Sequence, residues 1–239
     1  MAARAACGAI GCALNASGRS GGEGGSSRLE TMFLAIDTSA GTDVAVVTDA
    51  GRLLAEYRLP DARRHAEAVG VAIELVLRDA GLRPRHLDGI VCGMGPGPFT
   101  GLRVGVAAAR TFAFAAGIPL HPVASHDAIA HEWRHGHDHA GPVLVTTDAR
   151  RRELAASRYE HGELHSRAGF TLIAPDEVAG ILAADPELAR ADARQVSAHH
   201  LTLAWLEAQQ AQLPEISDDI LYLRAPDAKP GAQPKRVTA

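Results

Sequence analysis

Two short segments hold the residues best suited to chemistry. Asp37, Thr38 and Ser39 close the apolar run Phe33–Ile36, and Gly97, Thr100 and Gly101 sit in the turn "GMGPGPFTG" ahead of an almost uncharged stretch. The backbone N–H groups of such a turn converge, and a helix opening behind it offers its partly positive end, so the pair has the make-up of a phosphate cradle. Turns of this composition also serve as scaffolding, and the rest of the chain has to decide.

The other chemical groups are less organised. His131, His135, His137 and His139 crowd one polar, glycine-punctuated segment. Histidines four apart on a helix can share an ion, but no cysteine accompanies them, and no metal is assigned. Arg150, Arg151 and Arg152 form the one tight basic cluster, with no aromatic residue interleaved for base stacking. Of the three cysteines, Cys7, Cys12 and Cys92 are too scattered for a disulfide framework or a zinc site, and Cys92 reads as a buried, reduced thiol.

These residues need elements to hold them. From Met32 the pattern gives strands at Phe33–Ile36, Val44–Thr48 and Arg52–Tyr57, joined by polar turns, which is a β-meander. Apolar residues then recur at three and four from Ala62 to Ala80, predicting a helix stopped at Gly81. A strand at Gly89–Gly93, a helix at Leu102–Ala116 ended by Gly117-Ile118-Pro119, a strand in "LHPVAS" and a helix from Ser125 or Asp127 follow. A new meander opens at Val143. Beyond it come a helix at Pro175–Ala183, a strand containing Gln195–Val196 and a helix at Ala198–Gln212.

Composition bounds the rest. The chain has 239 residues, 46% of them hydrophobic, with a formal net charge of −4. That is enough for a proper core and shows no bias toward nucleic acid or acidic membranes. No stretch has the makeup of a membrane span, and a cytoplasmic protein is expected. The leader, residues 1–31, lacks large apolar groups and reads as disordered or as a misassigned start before Met32. Its weakly hydrophobic Ala5–Leu14 segment makes a poor secretion signal. Residues 32–135 and 141–224 are expected as N-terminal and C-terminal lobes, with 225–239 as a tail.

Each lobe opens with a meander whose first strand ends in an aspartate, Asp37 and Asp148. That duplication points to an α/β, two-lobed actin-like ATPase (ribonuclease H-like) fold, each lobe a mixed sheet with flanking helices. The segments "LAIDTSAGTDVAVV", "GMGPGPFTGLRVGVAAARTFAFAAGIPLHPVAS", "TTDARRREL" and "YLRAPDA" resemble, in order and spacing, the TsaB (YeaZ) family, from Met32 to about Lys229. The resemblance implies a non-catalytic scaffold or activator that pairs with a TsaD-like transferase, with a TsaE-like ATPase in the same pathway. The complex installs threonylcarbamoyl on adenosine next to the tRNA anticodon, and this subunit meets tRNA only through the complex. The transferase carries its metal on a His-x-x-x-His helix after the equivalent strand. Here the matching stretch is Ser125-His126-Asp127-Ala128-Ile129, so that pair is absent. The family's usual serine between Gly97 and Phe99 is Pro98, which removes a hydroxyl and an N–H.

The residues agree with a partner rather than an enzyme. An ATPase of this architecture needs a second glycine-rich phosphate loop, and after Asp148 the chain reads Ala149-Arg150-Arg151-Arg152. Asp37, Thr38, Ser39, Gly97, Thr100 and Gly101 are therefore a degenerate phosphate loop. No cofactor of its own is expected, and ATP or ADP would bind weakly at a partner interface. The Leu102–Ala116 helix is apolar nearly all round, and the helix before it has a second apolar stripe at Val71 and Leu75. Val71, Leu75, Arg103, Val106 and Arg110 are the expected partner surface, which alone would support a homodimer. Arg103, at the unfavourable end of its helix dipole, is expected to pair with Asp37 or with an acid on the partner. The alternatives are an active actin-like ATPase or kinase, and a metallo- or other peptidase of the glycoprotease-like family. From Met32 on, no Ser or Cys sits in a Gly-x-Ser-x-Gly elbow.

Overall fold

The computed structural model describes residues 30–60, 65–137, 141–165 and 169–224. Most of the leader, the first residues of the helix expected from Ala62, His139 and the tail from 225 onward lie outside them. The meander forms as β1 (Met32–Asp37), β2 (Thr42–Thr48) and β3 (Leu53–Leu59). Helix α1 (His65–Asp79) leads to β4 (Gly89–Gly93), then α2 (Phe99–Ala116), β5 (Leu120–Val123) and α3 (Ser125–His137). The second half runs β6 (Val143–Asp148), β7 (Leu154–Tyr159), β8 (Thr171–Ile173), α4 (Glu177–Ala184), β9 (Ala189–Asp192) and α5 (Ala198–Gln210).

The strands make two mixed sheets of orders β3-β2-β1-β4-β5 and β8-β7-β6-β9. In each, an antiparallel meander is followed by a strand parallel to its first: β4 beside β1, β9 beside β6. The second meander thus repeats the first. The strand expected at Gln195–Val196 is instead β9, a few residues earlier. "ARAD" carries no β-branched or aromatic residue; its pairing with β6 makes it a strand, not its own propensity.

Alternation explains the layers. On the first sheet Leu34, Ile36, Val44, Val46, Ile90 and Cys92 face α1 and α2. Phe33, Ala35, Ala45, Val47 and Val91 face the other way, into a core shared with α3, α5 and the inner side of the second sheet. Because β1 and β2 are covered on both faces, they read as continuous apolar runs. Helix α5 comes late in the chain yet packs on β1, β2 and β4, while α3 packs on α5 and β6. The break placed between 135 and 141 takes in the last two residues of α3 and ends before β6, and one core runs across it. Segment 216–222 also returns to the first half, where Leu221 N donates to Met94 O at 2.8 Å and Gly97 bridges Tyr222. Among the described residues no helix is long and apolar enough to cross a membrane.

Candidate functional site

The fold brings the two phosphate-loop segments together and then fills the space between them. Asp37, at the end of β1, is buried. Its Oδ1 accepts from Ser39 N at 2.8 Å and Ser39 Oγ at 2.6 Å, and its Oδ2 accepts from Ser125 Oγ at 2.5 Å. Burial is the dominant influence on this carboxyl and raises its pKa against those hydrogen bonds. Thr38 Oγ1 donates to Gly101 O at 2.8 Å, inside the first turn of α2. A Cβ on Gly97 would stand 2.8 Å from Ser39 Cα, so the two segments meet backbone to backbone. Pro98, the residue before α2, makes no side-chain cap, and Thr100 is exposed. The Asp37 carboxylate is thus bonded to the Ser39 and Ser125 hydroxyls, and the Thr38 hydroxyl to a backbone carbonyl.

Across from this turn lies the β6–β7 connection. Arg150, Arg151 and Arg152 have φ of 62°, 53° and 62°, three left-handed residues in a row without glycine. Arg150 and Asp148 line a cavity of about 270 Å³ with Ser39, Gly97, Thr147 and Arg194. Where a second phosphate loop would bring backbone N–H groups close, this chain places arginine side chains.

The halves are latched beside the turn by the start of α3. His126, fully buried, has Nδ1 2.8 Å from Ser157 Oγ on β7 and Nε2 2.9 Å from Thr147 Oγ1 on β6. Burial lowers its pKa to about 3, so it stands neutral. Tyr159 donates to Asp127 Oδ1 at 2.7 Å, and His165 Nδ1 lies 2.6 Å from Oδ2. Cys92 is free and buried, and burial pushes its thiol up to about 12, the inert state expected of it.

The expected partner surface divides. Val71 is 51% exposed, Leu75 half-buried and Arg103 exposed. Val106 belongs elsewhere: it is 1% exposed and packed in the core beneath α2. The helix lacks charge there because it faces β1 and β4 on that side. Arg103 does not reach Asp37, whose oxygens are taken; its guanidinium lies 5.0 Å over the ring of Phe99. Arg110 donates to the carbonyl of Asp218 and stands 3.5 Å from its carboxylate, holding the returning segment. Phe114, not singled out in the sequence, is 90% exposed on α2. An aromatic on the polar side of a helical period was the available signal.

A second grouping forms where α3 crosses α5. His131 and His135 project toward Glu207, with Nε2 atoms 3.2 and 3.5 Å from its Oε1. His131 Nδ1 lies 2.8 Å from His200 Nδ1, and His135 Nδ1 lies 2.9 Å from the carbonyl of His131. The His-Glu-x-x-His spacing of residues 131–135 was visible in the sequence; Glu207, on another helix, was not. His137 is not in the group: its ring stacks on Trp133. Glu132, the general base in a zinc peptidase of that spacing, lines a different cavity with Arg58, Trp133 and Arg194.

Sheet order, duplication and filled turn define a two-lobed α/β protein of the actin-like class. The family model described as TsaD, tRNA N6-adenosine threonylcarbamoyltransferase, matches residues 53–211. The chain belongs to that family, as a TsaB (YeaZ)-type member. Uncharacterized proteins of Mycobacterium tuberculosis and Mycobacterium leprae are each 37% identical over 84% of this chain. The match spans 95% of the former and 56% of the latter, little more than half that relative's length. The tRNA threonylcarbamoyladenosine biosynthesis protein TsaB of Bacillus subtilis is 33% identical over 54% of this chain and 55% of its own. A solved structure titled as an uncharacterized protein with similarity to peptidase YEAZ from Pseudomonas aeruginosa superposes with a TM-score of 0.66 at 24% identity. It covers 81% of this chain and 100% of that one, and shares the fold.

Proposed function

We propose that this chain acts in tRNA threonylcarbamoyladenosine biosynthesis as the non-catalytic scaffold and activator of a TsaD-type transferase. Relatives named for that pathway support the process. The observation that carries the non-catalytic role is the closure of the phosphate turn. Asp37 and Thr38, the groups an ATPase would turn toward nucleotide and metal, are bonded to Ser39, Ser125 and Gly101. What the turn does instead is fix α2 against β1, which sets the outward surface of α1 and α2.

That surface is the proposed docking face, with Val71, Leu75, Arg103 and Phe114 as its contacts. Exposed apolar groups of this size favour a partner or, in isolation, a second copy of the chain. The complex would work in the cytoplasm with a TsaE-like ATPase, any ATP or ADP being held weakly where the subunits meet, and tRNA would be reached only through the transferase.

The test is co-purification with the transferase, joined to quantification of the modified nucleoside in a strain depleted of this protein. Val71→Glu adds a charge to an exposed position, so the chain should fold, lose the transferase and fail to restore the nucleoside. A folded Val71→Glu protein that co-purifies at wild-type yield and restores it would overturn the proposal.

A further inference from the structure

We propose that His131, His135 and Glu207 hold a divalent transition-metal ion of the zinc class, tying the end of α3 to α5. Separation of the donor atoms is the first argument. Zinc binds imidazole nitrogen and carboxylate oxygen at about 2.1 Å, so donors around a tetrahedral ion stand about 3.4 Å apart. The nitrogens of His131 and His135 lie 3.2 and 3.5 Å from Glu207 Oε1, and all three donor atoms fall within 4.8 Å of one another. Two of the three edges are already at coordination length. The third closes by turning the exposed ring of His135 out of its stack on His131, with Nδ1 still on the His131 carbonyl.

Placement of the ring protons is the second argument. His135 Nδ1 faces the carbonyl of His131, an acceptor, so that nitrogen carries the hydrogen and Nε2 presents a lone pair. His131 Nδ1 faces His200 Nδ1, and a hydrogen donated there leaves its Nε2 bare as well. Both bare nitrogens then point at a carboxylate oxygen. Acceptors converging on an acceptor call for a cation between them, and outer hydrogen bonds of this kind orient histidines that ligate metal. The ion's fourth side would open on a cavity of about 350 Å³ lined by Asp49, Gly51, Leu203 and Gln210.

The zinc-peptidase arrangement of that spacing is not reproduced here: Glu132 faces the neighbouring cavity, and the carboxylate besides Glu207 on the ion's own cavity is Asp49. The site is also distinct from the metal-bearing stretch to which Ser125–Ile129 corresponds: it begins beyond it and takes its third donor from α5. Its consequence is mechanical, because α3 packs on both α5 and β6. A staple between the two helices stiffens the layer that joins the sheets.

Full-length protein stripped with chelator and titrated with Zn²⁺, and separately with Co²⁺, tests this. The expected result is one ion per chain, visible Co²⁺ d–d bands of a four- or five-coordinate site, and a Tm rise of about 5–10 °C at Zn²⁺ a hundredfold above Kd. His135→Ala and Glu207→Gln alter accessible side chains and should fold while weakening Zn²⁺ at least about 100-fold. His200→Gln should keep the stoichiometry and weaken binding about 10–100-fold. His137→Ala, two residues on, should bind as wild type. Equal affinity and spectra in wild type, His135→Ala and Glu207→Gln would overturn the site. So would loss of binding in His137→Ala, which would mark the ion as a surface adduct.

Discussion

Thr38 and Gly105 lock the turn to the helix: Thr38 Oγ1 stands where a Cβ on Gly105 would come within 2.1 Å of it, while that hydroxyl donates to Gly101 O at 2.8 Å. Only a residue without a side chain lets α2 lie this close to the end of β1. Gly105→Ala should break the contact and the hydrogen bond together, costing about 3 kcal/mol from overpacking and a buried unpaired hydroxyl. At this chain length that lowers Tm by about 6–12 °C. A calorimetric Tm within 2 °C or so of wild type would show that the interface yields easily.

The two sides of α2 should respond oppositely to charge. Val106→Glu buries an unpaired carboxylate under the first sheet and should leave no cooperative unfolding transition at 37 °C. Phe114→Glu, at a position 90% exposed, should change stability by less than about 0.5 kcal/mol while weakening capture of the transferase. Chemical denaturation and pull-down of both variants check this; equal destabilisation would mean that the faces are misassigned.

His126 should make the protein acid-sensitive. Its folded pKa is about 3 against an ordinary 6.5. Between those values the unfolded chain binds the extra proton, so stability is full above pH 6.5 and is lost as pH falls toward 3. The full span corresponds to a loss on the order of 5 kcal/mol. His126→Gln, which cannot titrate, should be less stable at pH 7 yet show a shallower decline from pH 6.5 to 4 in urea titrations. Parallel declines would assign the proton uptake to other groups.

Arg152 sits at φ 62° on an exposed turn. Left-handed backbone costs a non-glycine residue roughly 1–2 kcal/mol, so Arg152→Gly should stabilise by about 1 kcal/mol, read as a Tm increase of about 2–4 °C. No increase would mean that the arginine is held there by contacts worth as much as the strain.

The isolated protein should turn over ATP no faster than background, because Asp37 is enclosed by Ser39 and Ser125. Phosphate release that persists through purification and disappears in Asp37→Asn would show that the turn opens and works.

The sequence by itself determined the elements whose patterns are local. Continuous apolar runs gave β1 and β2, small residues at helical spacing gave α2, and the repeat of strand, aspartate and meander gave two matching sheets. The clustering of Asp37, Thr38 and Ser39 with the glycine turn followed from that duplication. Only the tertiary structure decided what depends on partners far along the chain. β9 exists through its pairing with β6, and Val106 is inward because of where the sheet lies. Arg110 is tied to Asp218 across 108 positions, and Glu207 meets His131 across 76. Periodicity reports that a helix has two faces. Which neighbour covers each is settled by the packing of the whole chain, because burial is a property of the assembled layers rather than of the segment.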